Sequence, residues 1–204
     1  MTTKERILHE ALELFSKDGF EAVSMRDIGA KVGIRESSIY KHYSGKQAIL
    51  DAIVKRSLEE LDHMLVNLNV PNPDISTSIS RYVDMKLEDI SHLCTSMLLE
   101  QLNNEIVSKF RQLLTIEQYR NEELRKLYYE FFMERQLRYN EKIFDYMLRL
   151  GILKGSTAKM MALEFYSPFF LLQYRLQDKD ELEKSLNDYV VDFLRGHLKG
   201  EINL

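Results

Sequence analysis

The stretch whose reading decides the fold is Ser24–Leu50, SMRDIGAKVGIRESSIYKHYSGKQAIL. Ser24, with Asp27 three residues on, has the form of a helix N-cap and its returning acid, and Ile28 and Val32 carry an apolar face until Gly33 stops it. A second short helix follows over residues 36–43. Its Ile39 and Tyr43, four apart, point inward, while Ser37, Ser38, Tyr40 and Lys41 span the opposite arc. Ser44-Gly45-Lys46-Gln47 reads as a further capping box opening a long helix, with Leu50, Val54, Leu58, Leu61, Leu65 and Leu68 as its apolar stripe. Upstream, residues 4–18 place Ile7, Leu8, Ala11, Leu12, Leu14 and Phe15 on one side of a first helix, stopped by Gly19.

Two short helices joined by a glycine turn and braced by a longer first helix form a helix-turn-helix, whose second helix enters a DNA major groove. Lys46 and the free N–H groups after Ser44 make an anion site at a helix start, and Ser24 with Arg26 flanks a second phosphate by the same argument. Charge agrees: Ser24–Lys46 carries a net +3 in a chain of net −4, so the remainder holds −7. A local basic patch suffices to steer toward phosphate.

This segment resembles the DNA-binding signature of the tetracycline-repressor (TetR) family of bacterial regulators, whose usual form is T-x-R-D-I-A-x-x-A-G-V-S-x-x-T-L-Y-x-Y-F-x-x-K-x-x-L. The resemblance covers about the first quarter of the chain and implies a homodimer bound to a pseudo-palindromic double-stranded DNA operator. It also implies a helical C-terminal domain that takes a small inducer and dimerises through its last two helices. Carried over by position, it makes Tyr40, His42 and Lys46 phosphate contacts and Glu36, Ser37, Ser38 and Lys41 base readers. Two departures stand out. Arg35 occupies the usual serine cap and is expected to reach a phosphate instead; Gly29 replaces the usual alanine, at about 0.5–1 kcal/mol of helix propensity, implying a softer supporting helix.

Beyond residue 68 the chain again reads as helix. Asn69–Asp74, with Pro71 and Pro73, is the clearest breaker. Helices are expected near 75–91, 93–102, 105–116, 120–150 with a break near Arg135, 156–176 and 179–197. The fold class is therefore all-α, with a DNA-binding head over 1–46 and a ligand-binding and dimerisation domain over 47–204, connected by helix 46–68. Between Tyr119 and Tyr174 lie 13 of the 21 Phe and Tyr residues. For any one of them ordinary core is the plainer reading, but together with four methionines they suggest a cavity for an apolar or aromatic effector. Its candidate lining is Met97, Tyr128, Phe132, Met133, Arg135, Tyr139, Phe165, Tyr166 and Phe169. Pro168 removes a hydrogen bond to the Glu164 carbonyl and is expected to kink its helix. Phe170, Leu182, Leu186, Tyr189, Val190 and Phe193 are expected at a two-fold interface.

No catalytic motif or metal-ligand spacing is visible and no cofactor is implied, so an enzyme is not expected. The lone Cys94 reads as a core hydrophobe. No apolar run approaches the roughly 18 residues of a membrane span, and the opening MTTKERILHE lacks a leader's apolar core, so a cytoplasmic protein is expected. Alternatively, a helical small-molecule sensor would use its DNA-binding head only secondarily; operator binding that is lost on adding ligand separates the two readings.

Overall fold

The computed structural model describes residues 1–72, 74, 76–174 and 178–199. Its elements are α1 (Thr3–Asp18), α2 (Met25–Val32), α3 (Glu36–Ile39), α4 (Lys46–Asn67), α5 (Ser76–Ile79), α6 (Arg81–Asp84), α7 (Leu87–Asn103), α8 (Glu105–Glu117) and α9 (Glu122–Tyr129). A π-helical segment, Glu130–Glu134, leads into α10 (Arg135–Arg149), followed by α11 (Ala158–Leu172) and α12 (Lys179–His197). No strand occurs among the described residues. The all-α expectation holds. Ile75 and residues 175–176, where two expected helices begin and end, lie outside the described residues, as does Pro73.

The chain divides into two compact units, Met1–His63 with Gln101–Tyr128, and Met64–Glu100 with Tyr129–Leu204. In the first, α1 packs on α2 and on α8, and α2 on α3. Its core is built from Ile7, Ala11, Phe15, Ile28, Ile39, Ile49, Ile53, Val107, Phe110 and Leu114, all at most 1 % exposed. Thr2 caps α1 with Glu5, and Ser24 caps α2 with Asp27, each pair bonded in both directions. The buried line of α4 runs Ile49, Leu50, Ile53, Ser57, Leu61, Met64. Val54, Leu58, Leu65 and Leu68 of the expected stripe are only half-buried, because the face is set by where α4 meets its neighbours and not by leucine spacing.

In the second unit α10, α11 and α12 pack in sequence. The expected break near Arg135 is the π segment, in which the Arg135 N–H reaches back five residues to the Glu130 carbonyl. Pro168 sits inside an assigned helix that continues to Leu172. The Glu164 carbonyl, which the proline cannot serve, accepts the Tyr189 hydroxyl at 2.7 Å. Tyr166 donates to the Phe132 carbonyl within the π segment at 2.7 Å. Tyr139 donates to the Pro71 carbonyl at 3.0 Å and shares a 2.6 Å hydroxyl contact with Tyr82. Burial raises the Tyr82 and Tyr139 hydroxyls, lifts Tyr189 to about 12 and pushes the Cys94 thiol up to about 12.

These shifts carry a sign. A group whose folded pKa lies above its unfolded value contributes stability below the unfolded value and loses it as pH climbs through the folded one. For Cys94 the window opens at the ordinary 9.0 and for the tyrosines at 10.0, closing near 12 for Cys94 and Tyr189. Urea midpoints are therefore expected to hold up to pH 9 and to fall steadily from there to pH 12. Tyr189→Phe should lower the neutral-pH unfolding free energy by roughly 1–3 kcal/mol through lost carbonyl satisfaction and flatten the alkaline decline. An alkaline limb as steep as the parent's would show that Tyr189 does not contribute to it.

Candidate DNA-binding surface

The turn after α2 is a complete Schellman closure. Gly33 takes φ 78, ψ 32, and its N–H returns to the Ala30 carbonyl at 3.2 Å, while the Ile34 N–H reaches the Gly29 carbonyl at 2.9 Å. Gly29 lies close beneath the turn. A Cβ there would lie 3.0 Å from the Ile34 oxygen and 3.3 Å from the Glu36 nitrogen. The missing methyl lets the backbone of the turn lie close on α2.

Other elements pin this turn through polar groups. Arg6 on α1 donates to the last α2 carbonyl, Val32, at 2.6 Å. Tyr43, buried as expected, donates to the Lys4 carbonyl at 3.4 Å, with the Lys4 ammonium 5.5 Å from its ring centre. Ile39 is fully buried. With those two residues held inward, Arg35, Glu36, Ser37, Tyr40, Lys41 and His42 are exposed and Ser38 half-exposed. Tyr40 shows 52 % of its surface, unusual for a tyrosine beside a packed core.

Two details differ from expectation, the length of the second short helix and the start of α4, while the uncapped Arg35 agrees with it. The second short helix is a single turn, Glu36–Ile39; beyond it the His42 N–H bonds to Ile39 O at 2.8 Å, so Tyr40, Lys41 and His42 sit on a tightened turn. Arg35 provides no side-chain cap, as its chemistry requires. Gln47 donates forward to Asp51 at 2.9 Å instead of turning back to Ser44, so the expected capping box at α4 is replaced by a side-chain bond along the helix.

The expected phosphate groups also have partners of their own. The Ser24 hydroxyl is donated to Asp27 at 2.6 Å, and this bond with the Ser24 N–H holds the Asp27 carboxyl below its usual range. Arg26 is exposed beside it. Lys46 donates to the Phe20 carbonyl at 2.8 Å and the Glu21 carbonyl at 3.4 Å, with its ammonium 4.4 Å from the Phe20 ring centre. An ammonium has three donors, so Lys46 keeps one for an outside anion. Sequence reasoning missed Phe20, Arg6 and Glu117. Phe20 stacks edge-on against Phe15 at 5.2 Å, and its N–H donates at 2.8 Å to Glu117 at the end of α8. That pairing is 97 residues long-range, and no local pattern announces it.

In the second unit the expected lining residues disperse. Phe165 and Phe169 pack against each other at 5.4 Å, and Phe165 also meets Phe144 and Phe193 at 5.5 and 5.1 Å. Phe132 and Tyr166 are joined by the hydrogen bond above, and Tyr139 is tied to Tyr82 and Pro71. Met97, Met133 and Arg135 are half-buried, and Tyr128 belongs to the first unit. A cavity of about 480 Å³ has other walls: Glu88, Ser91, His92, Asn187, Asp188, Val191, Asp192 and Arg195.

The expected interface stripe is corrected. Leu182, Leu186, Val190 and Phe193 are 4, 0, 0 and 6 % exposed within a single chain, and Tyr189 is bonded to α11, so they are consumed by the chain's own core. Exposed apolar side chains line α11 and its end, Met160 at 52 %, Leu163 at 49 %, Leu171 at 70 % and Tyr174 at 48 %, with Phe170 half-buried beside them; Val66, Tyr129 and Leu150 are exposed elsewhere in the unit. A stripe that looks amphipathic in sequence cannot say whether its partner is the same chain or another.

His9, Glu13 and Glu105 bring three possible ligand atoms within 4.8 Å of one another. The Lys109 ammonium pairs with both carboxylates there, supplying a cation from the chain itself and tying α8 to α1. Among the described residues no helix is long and apolar enough to cross a membrane.

Residues 7–53 match the family model described as bacterial regulatory proteins, tetR family. Over 199 residues, 92 % of this chain and 98 % of the relative, the sequence is 25 % identical to IcaR of Staphylococcus aureus, the HTH-type negative transcriptional regulator of the biofilm operon icaADBC. The fold is similar, at TM-score 0.66 and 19 % identity over 97 % of both chains, to a TetR-family regulator from Mesorhizobium loti. It is also similar, at TM-score 0.64 and 14 % identity over 92 % of this chain and 97 % of the other, to AibR in complex with isovaleryl coenzyme A and operator DNA. With a glycine-closed turn and an outward basic face, residues 7–53 thus carry the segment that the tetR-family model of bacterial regulatory proteins describes, and the whole chain shares the fold of the solved TetR-family regulator.

Proposed function

We propose that the chain is a ligand-responsive repressor that binds a pseudo-palindromic operator as a two-fold dimer through residues 24–46. One observation carries the DNA-reading part. The segment that buries Ile39 and Tyr43 turns Ser37, Tyr40, Lys41 and His42 outward together, beside exposed Arg26 and Arg35. Glu36, Ser37, Ser38 and Lys41 read base edges; Arg26, Arg35, Tyr40, His42 and the remaining Lys46 donor hold phosphates. Ser24 contributes by fixing Asp27 and the start of α2.

Half-sites one DNA turn apart, about 34–36 Å, require two copies of this head. The open apolar strip of Met160, Leu163, Leu171 and Tyr174 supports a dimer made through that face of α11. A small effector acts through the second unit, as isovaleryl coenzyme A bound to AibR suggests. The half-buried Met97, Met133, Tyr139 and Tyr166 remain the candidate contacts for an apolar or aromatic molecule. To release DNA, that molecule must bind the non-reading arrangement more tightly than the reading one.

Two tests follow from this assignment. Against a duplex selected by the wild-type chain from a random pool, Tyr40→Phe should weaken binding to selected and random DNA alike. Lys41→Ala should alter the selected consensus; an unchanged consensus moves base reading elsewhere. For the dimer, Leu163→Glu with Leu171→Glu should give a folded monomer in sedimentation, whereas Val190→Asp should unfold the chain by placing a charge in its core. A stable dimer in the double variant removes α11 as the interface.

A further inference from the structure

Glu117 is fully buried at the last residue of α8, yet only one of its two carboxyl oxygens is engaged. Oε1 accepts the Phe20 N–H at 2.8 Å; Oε2 has no hydrogen-bond partner. A buried carboxyl with an unserved oxygen costs stability, so its retention asks for a compensating role. The residues around it are shaped to admit it. Gly19 takes φ 87, which favours glycine, and a Cβ there would press on Oε1 at 2.8 Å. The other end of the same residue, the Phe20 carbonyl, accepts the Lys46 ammonium, which also lies over the Phe20 ring. Phe20 is therefore gripped from α8 at its N–H and from the first residue of α4 at its carbonyl and ring.

We infer that Glu117 is a positioning residue for DNA binding: by fixing Phe20 it fixes the carbonyls that hold Lys46, and so aims the one ammonium donor left for a phosphate. This rests on the DNA-reading function proposed above and adds a determinant on a helix that presents nothing to the duplex. Because α8 joins the head through this carboxyl as well as through the Lys109 cluster, a shift of its C-terminal turn alters the geometry of Lys46 directly.

The experiment is a double-mutant cycle in the full chain. Glu117→Met keeps the volume and removes the acceptor; Glu117→Gln keeps an acceptor; Lys46→Met removes the ammonium. Affinity is read by fluorescence anisotropy on the duplex selected by the wild-type chain, with exchange of the Phe20 amide measured alongside. Glu117→Met should lose about tenfold in affinity and most Phe20 protection, and Glu117→Gln should recover both to within about threefold. In the Lys46→Met background, Glu117→Met should cost nothing further, since the group it positions is gone. Unchanged affinity in Glu117→Met despite lost Phe20 protection, or costs that simply add, would overturn the inference. Should Glu117→Met fail to fold, the wild-type chain decides: Phe20 exchange must slow about tenfold or more on binding the duplex, and unchanged exchange sinks the idea. A wild-type chain that selects no duplex at all refutes the proposed function instead.

Discussion

In the turn between α2 and α3, the N–H groups of Gly33 and Ile34 return to the carbonyls of Ala30 and Gly29, and the surface offered to DNA hangs from that closure. Two glycines serve it differently. Gly33 supplies a left-handed backbone that a side chain would resist, whereas Gly29 is an ordinary helical residue at which a Cβ would sit tightly, 3.0 Å from the Ile34 carbonyl oxygen. The first role is conformational and the second is steric. Both must hold before a helix of only four residues can stand at a defined angle, since a single turn has too few internal bonds to hold itself.

What the turn cannot supply comes from outside it. Arg6 closes the end of α2, Tyr43 fastens the exit of α3 to the start of α1, and Lys46 holds the α1–α2 loop that Glu117 grips from the other side. Each is a side-chain donor or acceptor meeting a main-chain partner, which fixes backbone position more tightly than apolar contact does. The cationic residues of the head thus separate into those spent on the fold, Arg6 and Lys46 in large part, and those left to solvent, among them Arg26, Lys31, Arg35 and Lys41. Net charge alone cannot make that separation.

The same distinction explains what the sequence could and could not disclose. Caps, stops and inward positions of the first 46 residues were legible because Ser24–Asp27, Gly19, Gly33 and the Ile39–Tyr43 spacing act over three or four residues. The polar and apolar pattern also marked α8, α11 and α12, but not α7, which runs from Leu87 to Asn103 through the boundary expected near residue 92, with the short α5 and α6 where the start of one longer helix was expected. What failed was partner choice. Leu182, Leu186, Val190 and Phe193 form a continuous stripe in either a core or an interface, and only the packing of α11 against α12 shows that the chain itself fills it. Gln47 could turn back to Ser44 or forward to Asp51, and the pattern is identical until coordinates distinguish them. Glu117 was invisible for the simplest reason, as its partner is 97 residues away.

The tyrosines also serve the fold itself. Their number among apolar neighbours suggested hydroxyls waiting for a ligand, yet Tyr43, Tyr139, Tyr166 and Tyr189 each donate to a main-chain carbonyl of another segment: Lys4, Pro71, Phe132 and Glu164. Three of those carbonyls lie at irregular backbone, namely a proline in the loop after α4, the π segment, and the position four residues before Pro168. A phenol suits this work because it buries a large apolar ring and still delivers one donor at its far end. Irregular backbone and tyrosine content are thus linked: a helical bundle that keeps a π turn and an internal proline needs donors from neighbouring helices to satisfy carbonyls its own ladder misses. It follows that an effector can take the Tyr139 or Tyr166 hydroxyl proton only by competing with the main-chain carbonyl that now accepts it, so an effector binding through its own acceptor would release Pro71 or the π segment rather than merely fill a space.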